Sequence, residues 1–275
     1  MLVDFAKLCS LSYLGQEKII EDFQNCKDYS QTENQSVFQK CETQPVLYSS
    51  EEDCQVYVCE YQKYLSISYR GTESFQDILT DLKISKVPFP LYRHNIWEAP
   101  DVHRGFCRQF ESIREPLDLE IEKYLSNFQS GSNSGDKPKV VFTGHSLGGA
   151  LATLSALYFQ CKYPDVGISC ITFGSPRVGD AQFAKLFNEK VRISYRYVND
   201  NDPVPCIPTS WRFQHVKGLV WLNQDKIMNE IKVWRFYRFC KNTVASWFGY
   251  GYNALEDHSC NGYIHDLEKF LDESC

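Results

Sequence analysis

Surplus basic charge is missing from this sequence. Its 29 lysine and arginine residues are outnumbered by 35 aspartate and glutamate residues, and the formal net charge is −6 at pH 7. A nucleic-acid partner is therefore not expected, because cationic side chains must neutralise the phosphates of such a partner. Internal repeats and long linkers are also missing, and 275 residues fit one α/β domain. The sequence thus predicts a single domain over residues 1–275.

Long uncharged runs are scarce as well. Residues 140–161 contain no Asp, Glu, Lys or Arg, and this length alone would suffice for a membrane-spanning helix. His145 and three glycines, however, interrupt the first half of the run. A buried strand followed by a buried helix explains the run better, so we predict no membrane span.

Closely spaced cysteine pairs are the third absence. Twelve cysteines occur, but none are spaced as C-x-x-C, so no zinc or other metal site is expected.

The first 14 residues predict an amphipathic helix. They lack the basic start and the continuous apolar core of a secretory signal, and this lack favours the cytoplasm. The many cysteines favour an oxidising compartment, as for a mature secreted form. The localisation is not decided by the sequence, with the cytoplasm placed ahead of a mature secreted form.

The hydrophobic patterns predict alternating strands and helices. Successive strands are expected at 55–60 and 63–70, and residues 15–53 are expected to run irregularly over the surface. A helix at 105–128 should break near Pro116. The remaining expected elements are a strand at 168–173, a helix at 179–190, a strand at 193–198, a hairpin at 211–224, a helix from about 225 to 247 and a last helix at 260–272. This β–α alternation indicates a largely parallel sheet.

A serine between two glycines directly follows an apolar run. Val140–Phe142 predict a buried strand, Gly144–Gly148 reads Gly-His-Ser-Leu-Gly, and small residues then predict a helix. This strand–turn–helix context is that of the nucleophile elbow in α/β-hydrolases. The glycines leave room at a sharp turn, and the helix N-terminus lies where negative charge develops. We predict Ser146 as the nucleophile and the backbone N–H of Leu147 as an oxyanion-hole donor.

A nucleophilic serine needs a base, and the base needs an acid that orients it. In α/β-hydrolases the acid and then the histidine follow the serine in the chain. Asp200 and Asp202 both follow the strand predicted at 193–198, so the spacing leaves both open. His258, in a loop near the C-terminus, is the predicted base, and His265 is its main rival although it falls within the last predicted helix. The other histidines are interpreted as structural or peripheral: His94, His103, His145 and His215.

Six segments in order resemble the class 3 lipases, the family of fungal triacylglycerol lipases and related esterases. The resemblance is taken to cover roughly residues 65–265. The segments are 69–74 (YRGTES), 81–82 (DL), 102–106 (VHRGF), 143–152 (TGHSLGGALA), 173–179 (FGSPRVG) and 199–205 (NxxDxVP). The resemblance implies an α/β-hydrolase fold, with a central, mostly parallel sheet flanked by helices and a short lid helix. It selects Asp202 rather than Asp200 as the acid, and it assigns the second oxyanion donor to Thr72.

Two segments are expected to contact lipid. Residues 73–90 correspond to the lid of the resembled family and carry Phe75, Ile78, Leu79 and Leu82 at helical spacing. Residues 225–255 form a basic amphipathic insert that departs from the compact fungal pattern. For each segment the alternative is a helix that packs permanently on the protein.

The residues and the resemblance together predict a serine hydrolase that cleaves carboxylic esters of lipids through an acyl-enzyme, without a cofactor or metal. An esterase on small soluble esters, a phospholipase or an acyltransferase would use the same scaffold, because the pocket and the lid determine specificity. A non-catalytic lipid-binding module is the alternative from a different class. The expected partner is a lipid ester, with transient contact to a lipid surface through the lid and the insert. The oligomeric state is not predicted.

Overall fold

The computed structural model describes ten stretches of the chain. They are residues 2–14, 16–28, 35–71, 85–91, 99–131, 137–199, 202–208, 211–223, 226–229 and 257–272. Thr72 lies outside these stretches, as does most of the predicted lid at 73–90 and of the predicted insert at 225–255.

Ten strands occur in the described residues, and eight of them form one sheet. In chain order the strands are β1 (Val46–Ser49), β2 (Gln55–Tyr61), β3 (Tyr64–Tyr69), β4 (Lys86–Pro88), β5 (Asp101–His103), β6 (Lys139–His145), β7 (Gly167–Phe173), β8 (Ile193–Asn199), β9 (Leu219–Asn223) and β10 (Lys226–Asn229). The large sheet has the order β1-β2-β3-β6-β7-β8-β9-β10, whereas β4 and β5 pair with each other. Its five strands from β3 to β9 run parallel, and β1, β2 and β10 are antiparallel additions at the two edges.

The parallel strands end together at one edge of the sheet. Tyr69 of β3 pairs with Gly144 of β6, and His145 of β6 pairs with Phe173 of β7. The last residues of these strands are buried on both faces, which is typical of parallel strands covered by helices on both sides. In open α/β sheets, ligands bind in the crevice beyond the carboxyl ends of such strands.

Seven α-helices lie in the described residues. They are α1 (Leu2–Leu11), α2 (Gln16–Asp28), α3 (Gln35–Phe38), α4 (Arg104–Gly131), α5 (Leu147–Lys162), α6 (Ala181–Lys190) and α7 (Cys260–Asp272). None of these described helices combines the length and the apolar character that a membrane crossing requires. Helices α2 and α3 and strand β1 correct the expectation that residues 15–53 run irregularly over the surface.

Helix α4 continues through Pro116, so the expected break near this residue is wrong. Buried apolar side chains occupy one stripe of α4 on both sides of the proline, from Phe106 and Phe110 to Leu117 and Ile121. Burial of this continuous stripe outweighs the one backbone hydrogen bond that a proline removes from a helix.

The sheet separates two apolar layers. On one face, a core cluster joins side chains of α4, α5 and α6 to the central strands. On the other face, a second cluster joins α1, α2, α3 and α7 to the sheet. Helix α1 packs against α7, where Lys7 Nζ lies 2.7 Å from Glu268 Oε1. The N-terminal and C-terminal helices of the described chain therefore cover the same face.

Residues 211–229 correct two expectations. Gly218, with φ +89°, leads into β9, which pairs in parallel with β8 rather than with residues 211–216. The hairpin is instead formed by β9 and β10, and residues 226–229 are a strand rather than the beginning of a helix. The remaining part of the predicted helix at 225–247 lies outside the described residues.

Candidate active site

Ser146 occupies a sharp turn between β6 and α5. Its backbone has φ 57° and ψ −127°, a region that residues with a Cβ seldom adopt, and its side chain is completely buried. Its N–H donates to the carbonyl of Phe173 over 2.9 Å. A Cβ on Gly144 would lie 2.3 Å from the carbonyl of Gly148, and a Cβ on Gly148 would lie 2.4 Å from Tyr69 O. The two flanking glycines therefore make this strained serine conformation sterically accessible.

Ser146, His258 and Asp202 form one hydrogen-bonded chain. His258 Nε2 lies 3.0 Å from Ser146 Oγ, and His258 Nδ1 lies 2.9 Å from Asp202 Oδ1. All three side chains are buried. The structure thus brings together the three residues that were predicted as nucleophile, base and acid, although they lie far apart in the sequence.

Asp202 follows β8 and accepts hydrogen bonds from three donors. Besides His258, the backbone N–H of Val204 donates to Oδ1 over 2.9 Å. The Tyr263 hydroxyl donates to Oδ2 over 2.5 Å and accepts the N–H of Asn199 over 2.8 Å. Burial and the Asp202 carboxylate raise the pKa of Tyr263 well above its ordinary value, which keeps this hydroxyl a donor.

Gly174 completes the wall behind His258 and Asp202. Its φ is +59°, and its N–H donates to Tyr197 O over 2.9 Å. A Cβ at this position would lie 2.6 Å from Asp202 Oδ2 and 3.1 Å from His258 Nδ1. The backbone at the end of β7 therefore approaches both side chains more closely than any residue other than glycine permits.

His145 contacts the backbone of His258 rather than Ser146 Oγ. Its Nε2 lies 2.6 Å from the carbonyl oxygen of His258, and its Nδ1 lies 2.7 Å from the hydroxyl of Tyr13. Tyr13 and Tyr263 are not among the residues predicted for the site, and His145 was predicted to have no role there. In the sequence, each of these residues looks like an ordinary core position of a helix or strand, so no local pattern indicates that it belongs to the site.

The other candidate bases that the structure describes do not reach Ser146. His215 Nε2 bonds to Pro205 O over 2.7 Å, the ring of His103 lies 4.4 Å from that of Phe106, and His265 is exposed on α7. His94 and Asp200, the rival acid, lie outside the described residues.

Ser146 is followed by backbone N–H groups at the start of a helix, which can stabilise an oxyanion. Leu147 is the first residue of α5, and the first amides of a helix point N–H groups outward without helical partners. Gly71, two residues after β3, is in close contact with the elbow, since a Cβ at this position would lie 3.2 Å from Ser146 Cβ. Thr72 is the next residue in the chain and is outside the described residues. Within the described ranges, no group of three or more His, Cys, Asp or Glu side chains is arranged to hold a metal ion.

Comparisons with known proteins assign the chain to a family. The family model for class 3 lipases matches residues 66–211. A secreted mono- and diacylglycerol lipase of Malassezia restricta is 28% identical over 209 residues, which cover 72% of this chain and 65% of that protein. Across this and two further curated lipases, this chain spans about half to two thirds of the relatives' length.

Solved structures give the same result for the fold. The triacylglyceride lipase of Rhizomucor miehei has a TM-score of 0.64 at 26% identity and covers 80% of this chain and 78% of its own. Another solved triacylglycerol lipase, whose catalytic centre is formed by a serine protease triad, has the same TM-score at 25% identity and the same two coverages. The predicted α/β-hydrolase fold with its mostly parallel sheet is confirmed. The chain belongs to the class 3 lipase family.

Proposed function

We propose that the protein is a serine hydrolase that cleaves carboxylic esters of lipids, with acylglycerols as its substrates. The observation that carries the proposal is the buried hydrogen-bonded chain from Ser146 through His258 to Asp202. This arrangement matches the roles of nucleophile, base and orienting acid in acyl transfer. The mono-, di- and triacylglycerol lipases among the relatives and solved structures support the substrate class.

In the proposed mechanism, Ser146 Oγ attacks the ester carbonyl while His258 Nε2 accepts its proton. Asp202 holds the His258 tautomer with the proton on Nδ1 and stabilises the imidazolium that forms. The backbone N–H of Leu147 and a donor from Thr72 stabilise the oxyanion. His258 then protonates the leaving alcohol. Water, deprotonated by the same histidine, attacks the acyl-enzyme, and this step releases the carboxylic acid and restores Ser146.

We further propose that residues 1–275 fold as one domain, that residues 73–90 act as a lid and that the insert at 225–255 contacts lipid. An apolar helical stripe at 75–82 supports the lid, because such a helix covers a buried serine in water and turns its apolar side to a lipid surface. The complete burial of Ser146 supports a closed state in water.

Two observations bear on the compartment of the protein. Cys206 is disulfide-bonded, and disulfides persist in oxidising environments. The relatives include secreted lipases. We propose a secreted or otherwise oxidising location for this protein rather than the cytoplasm, which the sequence analysis had placed first. To test this, the expressed full chain is alkylated before any reductant is added. In a cytoplasmic protein the Cys206 thiol would be free and would be alkylated at this step.

The decisive experiment is hydrolysis of p-nitrophenyl esters from acetate to palmitate, followed across the solubility limit of each ester. We expect long-chain esters to be preferred and the rate to rise sharply once an emulsion forms. Ser146→Ala should lower kcat by about 10³-fold or more. Saturable kinetics on short esters with no rise would identify a soluble esterase and contradict the lid. Wild-type activity in Ser146→Ala would contradict the proposed function itself.

Phospholipids and an added alcohol acceptor complete the substrate panel. An acylglycerol lipase should release fatty acid from mono- or diacylglycerol emulsions faster than from phosphatidylcholine vesicles of equal acyl composition. Preferential cleavage of the phospholipid would reassign the enzyme as a phospholipase. Transfer of the acyl group to the alcohol in excess of hydrolysis would reassign it as an acyltransferase.

A further inference from the structure

The backbone of His258 is held from inside the protein by a second histidine. His145 Nε2 lies 2.6 Å from the carbonyl oxygen of His258, and the two rings lie 4.7 Å apart at 34°. His145 is the last residue of β6, directly before Ser146. The strand that presents the nucleophile therefore also contacts the main chain of the residue that would deprotonate it.

The hydrogen-bond partners of His145 determine which ring nitrogen carries its proton. A carbonyl oxygen only accepts, so His145 Nε2 must be the protonated nitrogen. Burial and the neighbouring His258 lower the pKa of His145 well below its ordinary value, so the ring is neutral at pH 7. Nδ1 is then an acceptor, and the Tyr13 hydroxyl donates to it over 2.7 Å.

Tyr13 reaches this point from the turn that follows α1. Its N–H donates to Ser10 O over 3.1 Å, and the guanidinium of Arg70 lies 5.9 Å from its ring centre. A Cβ on Gly71 would lie only 2.3 Å from the Tyr13 hydroxyl oxygen. The absence of a side chain at Gly71 therefore creates the space in which this hydroxyl meets His145.

We propose that Tyr13 and His145 are positioning residues that fix the backbone of His258 and, through it, the hydrogen bond between His258 and Ser146. The proposal rests on the proposed function, because it assigns these residues to the setting of the catalytic base. Neither residue touches the reacting atoms in this role. The hydrogen bond from His145 Nε2 to the His258 carbonyl, over 2.6 Å, holds the main chain of His258 in place. A fixed main chain limits where the His258 ring can lie relative to Ser146.

Tyr13→Phe is the central variant because it removes one oxygen and keeps the ring. Tyr124→Phe is its matched control, since Tyr124 is buried and its hydroxyl donates to Lys63 O over 3.1 Å and accepts the Lys139 N–H over 3.4 Å, at the amino ends of β3 and β6 and thus at the edge of the sheet opposite the site. His145→Gln retains a side-chain N–H that can reach a carbonyl, and His145→Leu does not. The double variant Tyr13→Phe/His145→Leu tests whether Tyr13 acts through His145.

The assay uses p-nitrophenyl butyrate below its solubility limit, so lid opening at an interface does not enter the rate. We expect Tyr13→Phe to lower kcat about 3- to 10-fold with little change in KM, and Tyr124→Phe to stay within about twofold of wild type. His145→Gln should lose less kcat than His145→Leu. Tyr13→Phe should add no further loss in the His145→Leu background. Melting temperatures of all variants show whether each is folded at the assay temperature.

Several outcomes overturn the inference. It is wrong if Tyr13→Phe and Tyr124→Phe have equal kcat in an enzyme that Ser146→Ala inactivates. It is also wrong if the losses from Tyr13→Phe and His145→Leu multiply in the double variant, because Tyr13 would then act by another route. If Ser146→Ala remains active, the proposed function fails and this inference fails with it.

Discussion

Tyr263 hydrogen-bonds to the Asp202 oxygen that His258 does not contact. The hydroxyl donates to Oδ2 over 2.5 Å, whereas His258 Nδ1 lies 2.9 Å from Oδ1. The carboxylate is thus held at both oxygens, and its plane is fixed relative to the imidazole. The same hydroxyl accepts the N–H of Asn199, which ties the end of β8 to α7.

Replacement of Tyr263 by Phe should impair both stability and turnover. In the variant, the buried Asp202 Oδ2 and Asn199 N–H lose their hydrogen bonds to the Tyr263 hydroxyl. This loss should lower the free energy of unfolding by about 1–3 kcal/mol. We expect kcat to fall about 3- to 10-fold because Asp202 gains freedom to rotate. Urea unfolding and steady-state kinetics measure the two effects. Tyr124→Phe serves again as the control, and a kcat equal to that of the control would refute the role of Tyr263.

Gly174→Ala should yield a folded protein with little activity. The methyl group would meet Asp202 Oδ2 at 2.6 Å and the His258 ring at 3.1 Å, and alanine is also strained at φ +59°. Gly167→Ala is the matched control, because the nearest atom to its Cβ would be 3.5 Å away. We expect kcat to fall about 100-fold or more in Gly174→Ala, since misplacement of catalytic groups by about 1 Å has such effects. Equal kcat values in the two variants would contradict this prediction, because they would show that the structure around Gly174 accommodates a Cβ without displacing Asp202 or His258.

Acid should weaken the protein through Asp4. Burial raises the pKa of this carboxyl, but hydrogen bonds, including the one that Lys40 Nζ donates to Oδ1 over 2.9 Å, outweigh burial and lower it to about 2. Between its ordinary value of 3.8 and about 2, the unfolded chain binds more protons than the folded one. The stabilisation from Asp4 is therefore complete above this window and is lost as the pH falls through it.

The Asp4→Asn variant isolates this contribution. Urea unfolding should show the variant less stable than wild type at pH 7, with a smaller difference between the two proteins at pH 3. A difference that stays constant between these pH values would assign the loss in Asp4→Asn to packing instead of charge.

Cys41 and Cys59 are placed to form a disulfide during oxidative folding. Their Sγ atoms lie 3.9 Å apart in a buried position, about 2 Å farther apart than the sulfur atoms of a disulfide. The Cys41 thiol and burial raise the pKa of Cys59 well above its ordinary value, so exchange in the folded protein is slow and the bond should form before burial.

Refolding in a buffer of reduced and oxidised glutathione tests this pairing. Two protein thiols would be oxidised to one disulfide while one glutathione disulfide is reduced to two thiols. Peptide mapping should then recover the segments around Cys41 and Cys59 cross-linked. Recovery of both as alkylated thiols, while Cys206 is still disulfide-bonded, would contradict the prediction.

Local chemistry made the central part of the site predictable from the sequence. A buried strand, a glycine-flanked serine and a helix are recognisable because each needs particular residues at particular positions. Asp202 and His258 were reached from chain order, with the family pattern deciding between two neighbouring aspartates. The elements from 139 to 199 were likewise predictable, since their apolar runs are long and regular.

The features that could not be predicted from the sequence depend on tertiary packing. Tyr13, His145 and Tyr263 act through contacts between segments that are remote in the chain, and each has the appearance of a core residue. Pro116 was misjudged because a continuous buried stripe keeps α4 intact around it. The β9–β10 hairpin was missed because its short strands are defined by pairing, of β9 with β8 and of β10 with β9, and not by a sequence pattern of their own.

The packing of α1 against α7 has a consequence for the order of events during synthesis. A ribosome completes the serine elbow well before it makes His258 and Tyr263, and α1 meets α7 only once residues 260–272 have emerged. The nascent chain therefore carries the nucleophile without the base that activates it. We therefore expect the proposed hydrolytic activity to require the segment that carries His258 and α7, and a chain that ends after the elbow to be inactive.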